Sequence, residues 1–354
     1  MLSALQLPAQ SPTDPQATEE TRNLYLNLHG LRGRGLMFGH QDALAYGIGW
    51  NAARLRADVN DVCGDFPAVF GWDLSKLGSR RFNIDTVSFR KMRKWMIHAY
   101  EMGGINTISW HLDNPLTGGD SWDTTPAVPA ILPGGPLHAE YVKRLDEVAD
   151  YIEKIQSKGR PVPIIFRPFH EHTGGWFWWG ANQCTPEQYK ALWHFTVKYL
   201  RDTRGLHNLL YAYSTDIFTD KAHYLERYPG DEYVDLMGMD DYHDVSPKGN
   251  PADLTRRLAM LGELAREHNK VAALTETGQN TISTPNWWTD VLLNAVKSDS
   301  LSSEIVYALV WRNDRPDHVF GPYPAHPSAS DFVRFYEDSS TLFIRDLPPL
   351  YRAK

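Results

Sequence analysis

The chain has 354 residues, of which 42% are hydrophobic and 22% charged, an ordinary globular balance with ample length for a large core. The 36 Lys and Arg against 43 Asp and Glu leave a net charge of −7; with no basic cluster, that speaks against nucleic acid or an anionic membrane as partner. No apolar run approaches the roughly 18 residues of a membrane span, and the two cysteines, Cys63 and Cys184, allow one disulfide or two free thiols but no disulfide framework.

The opening MLSALQLPAQSPTDPQ lacks a charged segment followed by an apolar core. It reads as a Pro/Gln/Ser/Thr spacer of the kind that a removed signal peptide leaves. Residues 1–20 are therefore expected to be an extension, and 21–354 one domain. Short apolar runs then alternate with longer amphipathic stretches. The runs are GLMFGH (35–40), AVFGWD (68–73), INTISWH (105–111), PVPIIFRPFHE (161–171), NLLYAYSTD (208–216), VDLMGMDDYH (234–243), VAALTETG (271–278) and IVYALVWRND (305–314). They are near-continuously hydrophobic, as strands buried on both faces are.

Helical periods lie between them. Stretch 86–102 carries Val87, Phe89, Met92, Trp95, Met96 and Ala99 at helical spacing. Stretch 137–157 does the same with Val142, Leu145, Val148, Ala149, Ile152 and Ile155, and Gly159 with Pro161 supplies its stop. Stretch 185–204 opens Thr185-Pro186-Glu187-Gln188, a capping box with proline at the first helical position. Stretches 253–268, 287–297 and 328–343 also read as helices; 41–66 and 217–230 are weakly periodic. Eight strands alternating with helices predict a (β/α)8 TIM barrel, a single catalytic domain. The alternative is an open doubly wound sheet. Against it, the glycine-rich GLRGRG (30–35) precedes the first strand, where no phosphate loop would be.

Aligned at their C-terminal ends, the runs switch from aliphatic to polar or indole side chains. The ends are His40, Trp72-Asp73, Trp110-His111, His170-Glu171, Asp216, Asp240 to His243, Glu276, and Trp311 to Asp314. In a barrel those ends form one face, and that face carries the chemistry. Strand ends are polar in any protein, which accounts for Asp and Asn. It accounts poorly for Trp72, Trp110, Trp122, Trp176 and Trp311 at or just past the rim. A pyranose has apolar C–H faces and a hydroxyl edge; flat aromatic walls suit the first, and Arg, His and Asp suit the second. Trp176 is expected to be a sugar platform and Trp178 and Trp179 loop packing, with Trp95, Trp193, Trp287 and Trp288 in the core.

Two carboxylates have the best settings. Glu171 lies between a buried-looking strand and an aromatic loop, which would desolvate it and raise its pKa, as a general acid requires. Glu276, in LTETG, has donors such as Tyr242 to aim it as a nucleophile. On strands four and seven they would face each other across a barrel mouth, about 5–5.5 Å apart, the spacing of a retaining glycosidase. His170-x-His172 offers a different reading, a metal-dependent hydrolase completed by His243 or Asp314. A barrel that binds sugar without cleaving it is a third.

FGHQ (38–41), SWH (109–111), RPFHE (167–171) with WFWWG (176–180), the D-x-Y of GMDDYH, and TETG (275–278) resemble glycoside hydrolase family 26, the β-mannanases of the (β/α)8 clan, over roughly 35–345. The resemblance implies Glu171 as acid/base and Glu276 as nucleophile. It places His111, His170, Trp176, Asp240 and Tyr242 at the −1 and +1 subsites. Trp122, Arg167, Trp311 and Arg312 are further substrate-binding candidates, Arg312 at −2. HEHTGGW departs from the family's commoner His-Glu-Met-Asn-Gly before the tryptophan. The implied substrate is mannan, glucomannan or galactomannan; β-1,3-xylan and mixed-linkage glucan are the family's other specificities. The resemblance implies no metal or organic cofactor. A monomer is expected, and a polymeric substrate implies a secreted, periplasmic or cell-surface enzyme of bacterial origin. Segments 41–66 and 313–327 are candidates for a wall that would decide between endo cleavage and release of mannobiose.

Overall fold

In the computed structural model, which describes residues 10–353, each apolar run contains one barrel strand. They are β1 (Leu36–Gln41), β2 (Val69–Asp73), β3 (Ile105–Trp110), β4 (Ile164–Pro168), β5 (Leu209–Thr215), β6 (Leu236–Asp241), β7 (Val271–Thr277) and β8 (Ile305–Val310). Every neighbouring pair is parallel, and β8 returns to β1 with Met37 opposite Tyr307 and His40 opposite Val310, closing the sheet into a barrel.

The strands read as unbroken apolar runs because both faces are covered. Met37, Val69, Ile105, Ile165, Leu210, Leu236, Val271 and Tyr307 meet in one inner cluster. Their strand neighbours Phe38, Phe70, Ile108, Phe166, Tyr211, Met237 and Leu274 belong to the outer cluster, against the helices. Alternation carries the inner positions upward into a polar layer: Asp73, Ser109, Arg167, Ser214, Asp240 and Thr275, all buried. The site thus rests on the barrel's own interior, which is more rigid than any loop.

The expected helices appear as Phe89–Glu101, His138–Ile152, Pro186–Lys198, Pro251–Glu267 and Ala329–Glu337. Thr185 and Gln188 form the reciprocal capping box. The stretch 185–204 finishes in a π-helical turn at Tyr199–Thr203, and 287–297 opens in one at Trp287–Leu293. The longest helix outside the periodic stretches is Glu19–Leu31. The Thr18 side chain caps it, and Leu24, Tyr25, Leu28 and Leu31 join the inner cluster, closing the lower end of the barrel. Part of the expected extension is therefore tied down. The Thr13 N–H donates to Asp235 Oδ1 at 2.6 Å, and His207 Nδ1 lies 2.8 Å from Asp14 Oδ2. Residues 1–9 of that extension lie outside the described residues. Cys63 and Cys184 are free thiols. Among the described residues no helix is long and apolar enough to cross a membrane.

Candidate active site

Glu171 follows β4 in a turn where Phe169 and Glu171 both adopt left-handed backbone, φ 52° and 53°. L-residues seldom do so outside sites that over-determine them. The Glu171 N–H donates to the Ser214 carbonyl at 3.1 Å, pinning the turn to β5. The Trp176 indole Nε1 donates to Glu171 Oε2 at 2.6 Å. Burial raises the Glu171 pKa well above the usual value; the charges of Asp240, Glu276 and Asp216 add to that, and the Trp176 hydrogen bond opposes it.

Glu276 lies near the end of β7, where the ladder to β6 slips by one residue between Met239 and Asp240. The bulge sets Asp240 level with Glu276. Tyr242 OH donates to Glu276 Oε2 at 3.0 Å, and Arg167 to Oε1. The same guanidinium donates to Asp240 Oδ2 at 2.7 Å and Ser214 Oγ at 3.1 Å. Burial works against the Arg167 charge, but Asp240 and Glu276 restore it and hold the group cationic. Burial pushes Asp240 up to about 7 against the pull of Arg167; Thr275 Oγ1 donates to its other oxygen at 2.6 Å. One oxygen from each of Glu171, Asp240 and Glu276 lies within 4.8 Å of the others. The two glutamates, from strands on opposite sides of the mouth, thus converge on a space the size of one reacting centre. Their nearest oxygens stand within 4.8 Å, where double-displacement sites space the two carboxyls by roughly 5–5.5 Å and sites that leave room for a water by roughly 6.5–9.5 Å.

A second network approaches from β2 and β3. Asp73 Oδ2 accepts from Ser109 Oγ at 2.8 Å and from the His111 N–H at 3.2 Å, and lies 2.8 Å from His111 Nδ1. His111 Nε2 in turn lies 3.2 Å from His170 Nε2. Burial disfavours charge on His111, but Asp73 overrides it and raises the pKa. His170 is pushed well below the usual range by burial and by Arg167. His111 therefore donates and His170 accepts, which orients both rings.

Three indoles reach the mouth. Trp122 is 48% exposed and stacked on His111 at 5.3 Å, Trp311 meets the His111 ring edge-on at 6.2 Å, and Trp176 is half-buried. Trp72 and Trp110, expected at the rim, are not there. They are buried on outward positions of their strands, Trp72 donating to Asn106 Oδ1 at 2.8 Å. Period-two alternation sends Asp73 and His111 inward instead. Trp178 and Trp179 are buried and donate to the carbonyls of Leu112 and His170 at 2.9 and 2.8 Å, bracing the loop. Trp193, Trp287 and Trp288 are in the core, with Trp95 half-buried against it.

Arg312 lies across the mouth, Nε 2.8 Å from Asp85 and Nη1 3.3 Å from Asp314, and donates to Tyr46 OH at 3.3 Å. Tyr46 passes the contact on to Asp42 Oδ2 at 2.8 Å, and Asn313 donates to Asp58 at 2.9 Å. Segments 41–66 and 313–327 thus interlock beside the cleft. Tyr46, Asp58 and Asp85 escape sequence reasoning because polar residues in aperiodic loops carry no positional signal.

The two histidines of His170-x-His172 do not converge. His172 is buried between the rings of Tyr189 and Tyr213 at 4.4 and 4.6 Å. The strand ends at Pro168 and the left-handed residue between the two imidazoles turns them apart. His243 faces Asp216, and Asp314 faces Arg312 and Arg315. Among the described residues the trio that could hold a metal ion is Glu171, Asp240 and Glu276, and the Arg167 guanidinium already occupies the position between two of its members. A cavity of about 870 Å³ at the opposite end of the barrel, beside Glu20, Tyr100, Arg160 and Tyr351, holds no comparable convergence of groups.

The profile of "Glycosyl hydrolase family 26" matches residues 13–293. A mannan endo-1,4-beta-mannosidase of Bifidobacterium adolescentis is 38% identical over 76% of this chain; the chain spans 28% of that relative's length. One of Bacillus subtilis strain 168 is 29% identical over 72% of this chain and 69% of its own length. Among solved structures, a GH26 beta-mannanase from Bacteroides ovatus superposes with a TM-score of 0.90 at 41% identity, over 95% of this chain and 98% of the other. An endo-beta-1,4-mannanase from Cellulomonas fimi does so with a TM-score of 0.91 at 37% identity, over 97% and 79%.

Proposed function

The chain belongs to glycosyl hydrolase family 26, and we propose that it is a retaining β-1,4-mannanase that hydrolyses mannan, glucomannan or galactomannan to short manno-oligosaccharides. The observation that carries the reading is the approach of Glu171 and Glu276 to within 4.8 Å across the mouth. In this account Glu276, aimed by Tyr242 and Arg167, attacks the anomeric carbon while Glu171 protonates the departing oxygen. Glu171, now a carboxylate, then deprotonates the water that releases the glycosyl-enzyme. Its raised pKa supplies the proton at the start, and the Trp176 hydrogen bond stabilises the anion between the two steps.

Mannan as substrate is supported by the relatives and structures named above. Arg167, Asp240 and Tyr242 serve as the platform for the nucleophile; His111, His170, Trp122, Trp176, Trp311 and Arg312 face the sugars, with Arg312 on the glycone side. The protein acts as a secreted, periplasmic or cell-surface bacterial monomer. Following mannohexaose hydrolysis by proton NMR tests the reading: the first product carries the β-anomer, and an initial α-product, or cleavage of β-1,3-xylan or mixed-linkage glucan in preference to mannan, contradicts it.

A further inference from the structure

Glu171 on β4 and Glu276 on β7 divide the mouth into two arcs. One arc holds β8, β1, β2 and β3, with Arg312, Asp73 and His111. The other holds only β5 and β6, and there two polar groups remain without a role. Asp216, the residue after β5, has a side chain only 10% exposed. His243, two residues past β6, is 56% exposed, with Nε2 3.6 Å from Asp216 Oδ2. Arg257, the other cation near Asp216, is committed elsewhere: it is paired with Asp244 and donates to the Phe218 carbonyl at 3.0 Å. His243 is therefore the partner left to Asp216, and it stays exposed past β6, at the same end of the barrel that carries Glu171.

Resting on the mannanase reading, we propose that Asp216 and His243 form the aglycone wall of the site, His243 hydrogen-bonding the sugar that departs and Asp216 acting as the positioning residue that holds the imidazole and faces Glu171. The two arcs assign the side. If Arg312 serves the glycone, the departing sugar runs out over β5 and β6, past the acid that protonates its oxygen. Asp216 also has an electrostatic consequence. Its charge raises the Glu171 pKa, as do those of Asp240 and Glu276. Burial pushes Asp216 itself up to about 6, His243 and Arg257 lowering it and Asp244 raising it. Above about pH 6 its anion therefore helps keep Glu171 protonated.

The test compares wild type, H243A, H243Q and D216N on mannohexaose and on an aryl β-mannobioside, whose leaving group offers no sugar hydroxyls. H243A is expected to lose about tenfold more kcat/KM on mannohexaose than on the aryl substrate, the equivalent of one hydrogen bond, with H243Q recovering part of it. D216N is expected to move the alkaline limb of kcat on mannohexaose to lower pH by about half a unit. Equal losses by H243A on the two substrates overturn the aglycone wall, and an unmoved limb in a folded D216N overturns the role of Asp216. Should D216N fail to fold, the H243A comparison decides alone. A wild-type protein that cleaves neither substrate would instead refute the mannanase reading itself.

Discussion

The Trp176 indole nitrogen lies 2.6 Å from Oε2 of Glu171, so the side chain that walls the cleft also holds the proposed proton donor. The bond favours the carboxylate form and opposes the upward push of burial. Replacing Trp176 by Phe keeps an aromatic wall and removes the donor. The Glu171 pKa then rises further, and the alkaline limb of the kcat profile moves to higher pH. Loss of the bond that steadies the anion lowers kcat by about tenfold or more. A pH–rate profile of W176F checks the direction; a limb that moves down contradicts it.

Glu171 and Glu276 have different parts in the proposed mechanism, and their alanine variants should fail differently. Both lose nearly all activity on mannan. An aryl mannoside with an activated leaving group needs no proton for departure, so E171A still forms the glycosyl-enzyme on it and accumulates that species in a burst. E276A gives no burst. Stopped-flow release of the phenolate separates the two, and equal behaviour on the aryl substrate argues against the assigned parts.

Arg167 neutralises Asp240 and Glu276 together from inside the barrel. Lysine at this position cannot reproduce the fork. R167K is expected to lose at least about a hundredfold in kcat and to unfold about 1.5–3 kcal/mol more easily, the scale of a lost hydrogen bond to a charged group. Chelators should leave the wild-type activity in place, because a guanidinium already stands among these carboxylates. Activity abolished by EDTA and restored by zinc would favour the metal-hydrolase alternative.

Asp73 and His111 make a pH-dependent contribution to stability. The Asp73 pKa is lowered: burial raises it, but the contacts with His111 and Ser75 outweigh that. Its contribution is present above its unfolded value near 3.9 and is lost as pH falls through the depressed folded value. The His111 pKa is raised, so its contribution is complete below about 6.5 and is lost as pH rises through the folded value. The pair stabilises most between about pH 4 and 6.5. D73N should lower thermal stability most in that window, by about 1–3 kcal/mol, and lower kcat by freeing the His111 ring. Melting curves from pH 4 to 9 check it; a deficit that grows toward pH 9 contradicts it.

The barrel is legible in the sequence because parallel strands buried on both faces leave apolar runs that no amphipathic helix imitates, and because His170-Glu171 and Glu276 close two of them. What stays hidden follows from single-residue alternation and from distance. Trp72 and Asp73 are adjacent, yet one faces the helices and the other the site, and composition at a strand end does not say which. The helix Glu19–Leu31 is masked by the polar spacer before it, although Thr18, the acidic first turn and the Leu24–Leu28–Leu31 spacing signal it. Tyr46 and Asp85 reach Arg312 only through tertiary folding of two loops far apart in sequence. His172 looks like half of a metal pair until the left-handed backbone at Glu171 is known.

In the proposed mechanism the carboxylate on β7 forms a covalent bond to the sugar while the one on β4 handles the proton. Incubation with a 2-deoxy-2-fluoro-mannosyl donor carrying a good leaving group slows turnover of that bond, and mass spectrometry of a proteolytic digest locates it. One adduct is expected, on the peptide containing Glu276. An adduct on any other residue, or steady turnover of the reagent with inverted product and no adduct, would contradict that mechanism.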